Sequence, residues 1–211
     1  MNIIQRDKRV EPFDIDKIHD VLFWATENTK GVTVSDIEIK VGPQFYDGIS
    51  SSAIHQILVQ GAADMITEKT PNYQFVAANL LNYFLRKEVF GVSDNMPTLL
   101  DVITNNVESN IYDKQILEDY TVNEIKKLDS VIKHRRDYNF VYAGLQQLID
   151  KYLLKDRSTG RIYETPQYMY ILICMSLLAD IEDKVKRMRL IKELYNNLST
   201  FKISLPTPIM C

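Results

Sequence analysis

A mainly α-helical chain in two parts, with a small β lid over the first helices, is the fold class this sequence predicts. Three observations carry it. Apolar residues recur at helical spacing over most of the chain. Capping residues stand in front of those runs. Extended stretches are confined to the opening hairpin, a loop around Gly160 and the final residues. The 211 residues are enough for one large domain or two small ones with real cores. A hydrophobic content of 45% and a charged content of 25% are ordinary for a soluble globular protein.

Composition also excludes. A net charge of −3 argues against a general nucleic-acid binder. No apolar run reaches about 18 residues, and the N-terminus lacks the apolar core of a secretory signal, so neither a membrane span nor secretion is expected. Cys174 and Cys211 are the only cysteines. Cys174 lies in an apolar run and is expected to be a buried thiol. No disulfide framework follows, and a reducing cytoplasm fits. Three isolated histidines offer no metal-ligand spacing, and seven scattered glycines form no phosphate-binding loop.

Residues 3–24, IIQRDKRVEPFDIDKIHDVLFW, read as a basic hairpin running into a capped helix. Asp14 is the expected N-cap, with Phe13 and Ile18 at the spacing of a hydrophobic staple. Ile15, Ile18, Val21, Leu22 and Ala25 share one face. A helix N-terminus attracts anions, so Arg6, Lys8, Arg9 and Lys17 beside it make a phosphate site without a glycine loop. Glu11 and Asp14 would meet hydroxyl or amino groups of a nucleoside. On residue type alone, a surface hairpin with solvated charges is the competing reading.

Next comes a short helix carrying Ile37 and Val41, capped by Ser35 and interrupted at Gly42-Pro43. Ser51 or Ser52 then starts a helix with Ile54, Ile57, Leu58, Ala62, Met65 and Ile66 facing inward and His55 in its first turn. A fourth helix runs from about Asn72 to Phe90, with Phe75, Val76, Ala78, Leu80, Tyr83, Phe84 and Val89 making it central to its bundle. Arg86 and Lys87 at its far end read as dipole partners. Gly91 stops it. From Pro97 to about Leu154 the pattern is again helical, with a capping box at Thr121–Glu124. The run at 133–137, KHRRD, reads as a solvated helix end. A hairpin is expected around Gly160, then a buried helix with Thr165 as cap and Pro166 at its first position. Residues 181–199 form an amphipathic helix through Val185, Met188, Ile191, Leu194, Tyr195 and Leu198. A short strand, Phe201 to Leu205, closes the chain. It needs a partner, either the hairpin at 153–163 or another polypeptide.

In order and spacing, FDIDKIHDVLFWA, QFYDGISSSAIHQ, PNYQFVAANLL with FLRKEVFG, LEDYT, RRDYNFVYAGLQQL, KYLLKD, TGRIYETPQ and above all STFKISLPTPIM resemble the N-terminal part of the large (α) subunit of class I ribonucleotide reductase. The resemblance covers most of the chain. It implies an ATP-cone at 1–91, a four-helix bundle with a small β-sheet lid; a helical domain at 92–200; and, at 201–211, the incomplete first strand of a catalytic α/β barrel. In the family, ATP or dATP is the cone's allosteric effector. Its contacts fall at positions matching Gln5, Arg6, Glu11, Pro12, Phe13, Asp14, Ile15, Asp16, Lys17, Ser51, His55 and Lys87. Arg6, Lys17 and Lys87 would neutralise phosphates, Glu11 and Asp14 would contact base or sugar, and Ser51 and His55 would line the pocket. Thr207 matches a substrate-binding position. Gln5 stands where the family usually has Lys, Asp14 where Asn is common, and Phe84 where some dATP-inhibited relatives carry His. One lost positive and one added negative charge weaken triphosphate binding, each by on the order of a few kcal/mol before screening.

The family's thiyl-radical cysteine, redox-active cysteine pair and catalytic Glu and Asn all lie downstream of SLPTPIM, so no catalytic residue and no metal ligand is assigned to this chain. The resemblance thus implies one piece of a large subunit divided between two polypeptides, as in some viral relatives; a large subunit cut short would read the same. A C-terminal piece would supply the rest of the barrel. A radical-generating small subunit with a dimetal centre, ribonucleoside diphosphate substrate and a thioredoxin- or glutaredoxin-type reductant would complete the enzyme, in the cytoplasm (of the host, for a virus) and in the service of DNA synthesis. The alternatives are a free-standing ATP-cone nucleotide-sensing module and a folded but silent remnant.

Overall fold

The computed structural model describes residues 1–206. The chain forms two compact units, one of residues 1–84 with 138–146, the other of residues 85–137 with the chain from 147 onward. Thr207 and Cys211, singled out above, lie outside the described residues.

The first unit opens with the predicted hairpin. Strands β1 (Asn2–Ile4) and β2 (Val10–Pro12) pair antiparallel, Asn2 opposite Pro12 and Ile4 opposite Val10. Their turn closes with Gln5 N donating to Arg9 O at 2.8 Å. A third strand, β3 (Ile49–Ser50), joins β1 in parallel, giving the order β2-β1-β3. A parallel partner requires a crossover. Helices α1 (Ile15–Thr26) and α2 (Val34–Val41) supply it. Asp14 caps α1 as expected, its Oδ1 accepting from Asp16 N at 3.0 Å. Ile18, Leu22 and Ala25 are buried, whereas Ile15 is 53% exposed. As the first helical residue it lies past the edge of the core.

Two caps differ from expectation. Thr33, not Ser35, caps α2, its Oγ1 accepting from Asp36 N at 3.2 Å. Ser35 falls inside the first turn, where a hydroxyl no longer faces the free N–H groups. Ser50, not Ser51 or Ser52, caps α3 (Ser51–Ala63), accepting from Ala53 N at 3.1 Å. As the last residue of β3 it already has the extended backbone that a cap needs. Ile54, Leu58 and Ala62 face inward as predicted, while Met65 and Ile66 lie beyond the helix. A Cβ on Gly61 would stand 2.3 Å from Val41 Cγ1, so glycine is what lets α3 approach α2.

Helix α4 (Tyr73–Phe90) is central, with Val76, Ala78, Leu80 and Phe84 buried. Phe75 is 37% exposed, since one residue moves it about 100° round the helix from Val76. The unit boundary falls inside α4, between Phe84 and Leu85. The chain returns to the first unit at Tyr138, whose ring meets Trp24 at 5.4 Å, and Tyr142 packs on the same core. That return was not expected from the sequence.

The second unit holds the end of α4, then α5 (Leu99–Glu108), α6 (Gln115–Asp119), α7 (Val122–Asp129), the later part of α8 (Tyr142–Lys151), α9 (Pro166–Leu177) and α10 (Lys184–Ser199). Its core includes Leu99, Ile103, Ile125, Leu128, Tyr168, Ile171, Cys174, Ile191 and Tyr195. The capping box forms: Thr121 Oγ1 accepts from Glu124 N, and Glu124 Oε2 accepts from Thr121 N at 2.9 Å. Thr165 occupies the cap position of α9, but its side chain makes no capping bond. Val185 is 82% exposed, because Asp183 starts α10 and leaves Val185 in the solvated first turn. Around Gly160 the expected hairpin shrinks to one antiparallel bridge, Lys155 with Ile162.

Two expectations are corrected by chemistry the pattern did not carry. Arg86 is not a solvated dipole partner, and KHRRD is not a solvated helix end. Arg86 and Asp137 are both buried and paired at 3.2 Å. Gln167 Nε2 donates to the other Asp137 oxygen at 2.9 Å. Residues 201–205 are turn and bend rather than strand, and among the described residues they join no sheet. Phe201 takes φ 59°, its N–H donates to Leu198 O, and Lys202 N donates to Asn197 O at 2.9 Å. That is a helix C-cap with one left-handed residue, a use of the backbone that strand pairing would exclude.

Candidate functional site

The first unit gathers the sequence-predicted residues into two groups around its sheet. The first is where β2 turns into α1. Glu11 accepts from Gln5 Nε2 at 3.2 Å and lies 3.7 Å from the Arg9 guanidinium. Phe13 packs on Phe45 with ring centres 5.6 Å apart. Lys17 Nζ lies 3.8 Å from Asp14 Oδ2. Glu11, Pro12, Phe13, Asp14, Ile15 and Lys17 line an open depression of about 510 Å³. Asp16 belongs to the same turn but does not line it. These ion pairs are exposed, and such pairs are worth about 0–1 kcal/mol, so a bound anion would rearrange them at little cost.

The second group stands where β3 turns into α3. Arg6 Nη2 lies 3.2 Å from His55 Nδ1. Arginine only donates, so Nδ1 is the acceptor in this bond and carries no proton. The His55 ring stacks on Phe84, centres 3.7 Å apart and planes 14° from parallel. Ser51 is the first residue of α3 and half-buried. Its backbone belongs to the set of N–H groups that a helix N-terminus leaves without a carbonyl partner inside the helix.

Sheet register relates the two groups. β2 leaves the sheet beside Asn2 and β3 leaves it beside Ile4. The N-termini of α1 and α3 therefore belong to opposite ends of a strand three residues long, a rise of about 7 Å. Gln5 belongs to both groups, following Ile4 in sequence and bonding Glu11 through its side chain. Lys87 lies one turn beyond Phe84 on α4, in the stretch assigned to the second unit. Two participants were not read as site residues from sequence. Ser50 caps α3, and a run of three serines hides which one the strand end selects. Phe84 was noted as a departure from the family pattern, but its role as the platform for His55 depends on the packing of α3 against α4.

Among the described residues no group of three or more His, Cys, Asp or Glu side chains converges as a metal site. Nor is any described helix long and apolar enough to cross a membrane. A hairpin lid over a helical bundle, with two helix N-termini and basic side chains at its sheet, defines a class: a small domain chemically suited to holding an anion, followed in the chain by a helical one.

Comparison with known proteins gives that class its family. Residues 1–88 match the ATP cone domain, and residues 138–211 match the all-alpha domain of ribonucleotide reductase. The chain is 45% identical over 208 residues to ribonucleoside-diphosphate reductase 1 subunit alpha of Salmonella typhimurium, and 44% identical over 208 residues to that of Escherichia coli. Each alignment covers 99% of this chain and 27% of the relative. The alpha subunit of Enterobacteria phage T4 is 40% identical over 212 residues, with 100% of this chain and 27% of the relative covered. The chain is similar along its whole length to the N-terminal region of ribonucleoside-diphosphate reductase alpha subunits and spans about a quarter of their length.

Proposed function

We propose that this chain is the N-terminal component of the large subunit of a class I ribonucleoside-diphosphate reductase, and that its first unit binds ATP or dATP as an allosteric effector. The observation that carries the reading is the Arg6–His55 pair beside the N-terminus of α3, in a chain alike throughout to reductase alpha subunits. The donor set fits a nucleoside triphosphate. Arg6 and Lys17 supply positive charge, helix N-termini supply N–H groups, and Glu11 and Asp14 supply acceptors for base or sugar. A nucleoside with a three-phosphate tail is long enough to reach from one group to the other. Lys87 is proposed as a third phosphate contact and Thr207 as a substrate contact, both on the resemblance stated above. The domain division is proposed as a cone at 1–91 and a helical domain at 92–200, with the residues from 201 leading towards the barrel.

In this reading the chain has no catalytic residue of its own. The remaining large-subunit polypeptide, a small subunit carrying a dimetal radical centre and a thioredoxin- or glutaredoxin-type reductant complete an enzyme that reduces ribonucleoside diphosphates for DNA replication. A viral split subunit in the host cytoplasm is the form proposed for it. Calorimetric titration of the chain with ATP and dATP tests the effector site. The reading requires saturable binding that Arg6→Ala weakens. No binding of either nucleotide at millimolar concentration would defeat it.

A further inference from the structure

The second unit carries an open groove of about 730 Å³ between α6 with its preceding loop, the stretch after α8, and α9. None of the residues assigned to the effector site lies in it. Its walls include Ile111, Ile116, Leu154, Leu172, Ile173 and Leu177. Helix α9 is apolar nearly all round, PQYMYILICMSL. In a water-soluble chain a helix of that kind is covered on every side. Here Tyr168, Ile171, Cys174 and Met175 face the core, while Leu177 is 49% exposed and Leu154 37%. The buried acid in the groove, Glu164, is already satisfied: Oε2 accepts from Tyr112 OH at 2.9 Å and Oε1 from Leu154 N at 3.0 Å. Burial raises its pKa, against the two hydrogen bonds that it accepts. The other carboxylates lining the groove are Asp113 and Asp119, and among the described residues no Lys, Arg or His lines it. It is an apolar trough with an acidic rim.

An exposed apolar trough in a soluble protein marks a binding surface, and two facts select the occupant. The chain covers 27% of its reductase relatives, so a subunit of their kind has most of its polypeptide outside the aligned region. The rim carries acid without base. We propose that this groove is the docking surface for the remainder of the large subunit, receiving an apolar segment flanked by basic side chains. The inference rests on the proposed function and goes beyond it by naming the surface.

The test uses the full chain and the polypeptide covering the remaining length of the large subunit, expressed separately. Association is measured by calorimetry for the wild type and for Leu177→Glu, a substitution at a half-exposed site that leaves the core intact. Helix content and ATP affinity report on folding. Hydrogen exchange maps the contact independently of any variant. The expected result is wild-type association, slowed exchange at residues 111–119 and 172–177 in the complex, and at least a tenfold loss of affinity in Leu177→Glu. Association with unchanged affinity in Leu177→Glu and no slowed exchange at the groove overturns the inference and leaves the proposed function standing. Protection of the groove in the chain by itself, rising with concentration, overturns it in favour of a second copy as occupant. Failure of the wild type to associate defeats the proposed function, and the inference with it.

Discussion

At Arg6 the chain places one guanidinium against one unprotonated imidazole nitrogen, with a phenylalanine face closing the other side of that ring. Charge-assisted bonds of the kind Arg6 offers a phosphate are worth about 1.5–3 kcal/mol. Arg6→Ala is therefore expected to weaken ATP binding roughly 10- to 150-fold by calorimetry, with the first unit still folded. Arg86 and Asp137 are a residue-scale case of the opposite kind, concerned with stability rather than ligands. Arg86→Met leaves a buried carboxylate without its partner and is expected to cost about 3–5 kcal/mol in urea unfolding at pH 7. Asp137 itself and the neighbouring His134 make the acid behaviour testable. Burial, and the Arg86 charge after it, push His134 down to about 4. The folded state keeps that ring neutral while the unfolded chain protonates it, so its contribution is present above about pH 6.5 and is lost as pH falls towards 4, about 3 kcal/mol in all. Burial pushes Asp137 up to about 6 against the pull of Arg86 and Gln167. Its contribution has the reverse sign, largest below the ordinary carboxylate range and lost as pH rises through about 6. The two oppose each other, so the wild type should change little between pH 6.5 and 4. Asp137→Asn should lose stability over that interval and His134→Phe should gain it. Parallel slopes in the two variants would contradict the assignment.

Among the elements, α3 comes close to α2 at Gly61. A Cβ at Gly61 has no space beside Val41, and Val41 is itself buried, so neither side yields freely. Gly61→Ala is expected to destabilise the first unit by about 1–3 kcal/mol, seen as a lower urea midpoint, whereas Gly144→Ala, with 3.8 Å to its nearest neighbours, should not. The elements also mark where sequence reading works. Asp14 before α1 and Thr121–Glu124 before α7 were legible because a cap is a local arrangement of a few residues. Buried positions such as Leu22, Leu58 and Leu80 were legible from helical period. Arg86 and Asp137 were not, because their burial depends on each other across 51 positions and on Gln167, 30 positions beyond Asp137. Residues 201–205 misled for a similar reason: β-branched and aromatic composition signals a strand, but a strand exists only with a neighbour, and here the local C-cap of α10 decides the backbone. In the candidate site, the β2–α1 residues could be read from charge next to a cap. The stack of His55 on Phe84 could not, being made by two helices 29 positions apart in sequence.

At the scale of the whole molecule, the chain passes from the first unit into the second within α4 and returns once to the first at residues 138–146. It spans about a quarter of the length of the alpha subunits it is similar to, and the role proposed for it is that of a component of a larger enzyme. The measurement that tests this most directly is reconstitution: deoxyribonucleotide formation from ribonucleoside diphosphates by the remaining large-subunit polypeptide and the small subunit, with and without this chain, and with and without ATP. Activity is expected to require the chain and to respond to ATP through Arg6, so that Arg6→Ala shifts the ATP dependence to higher concentration while activity at saturating ATP persists. Equal activity in the absence of the chain, or none in its presence while the chain binds ATP by itself, would contradict it and leave a nucleotide-sensing module in its place.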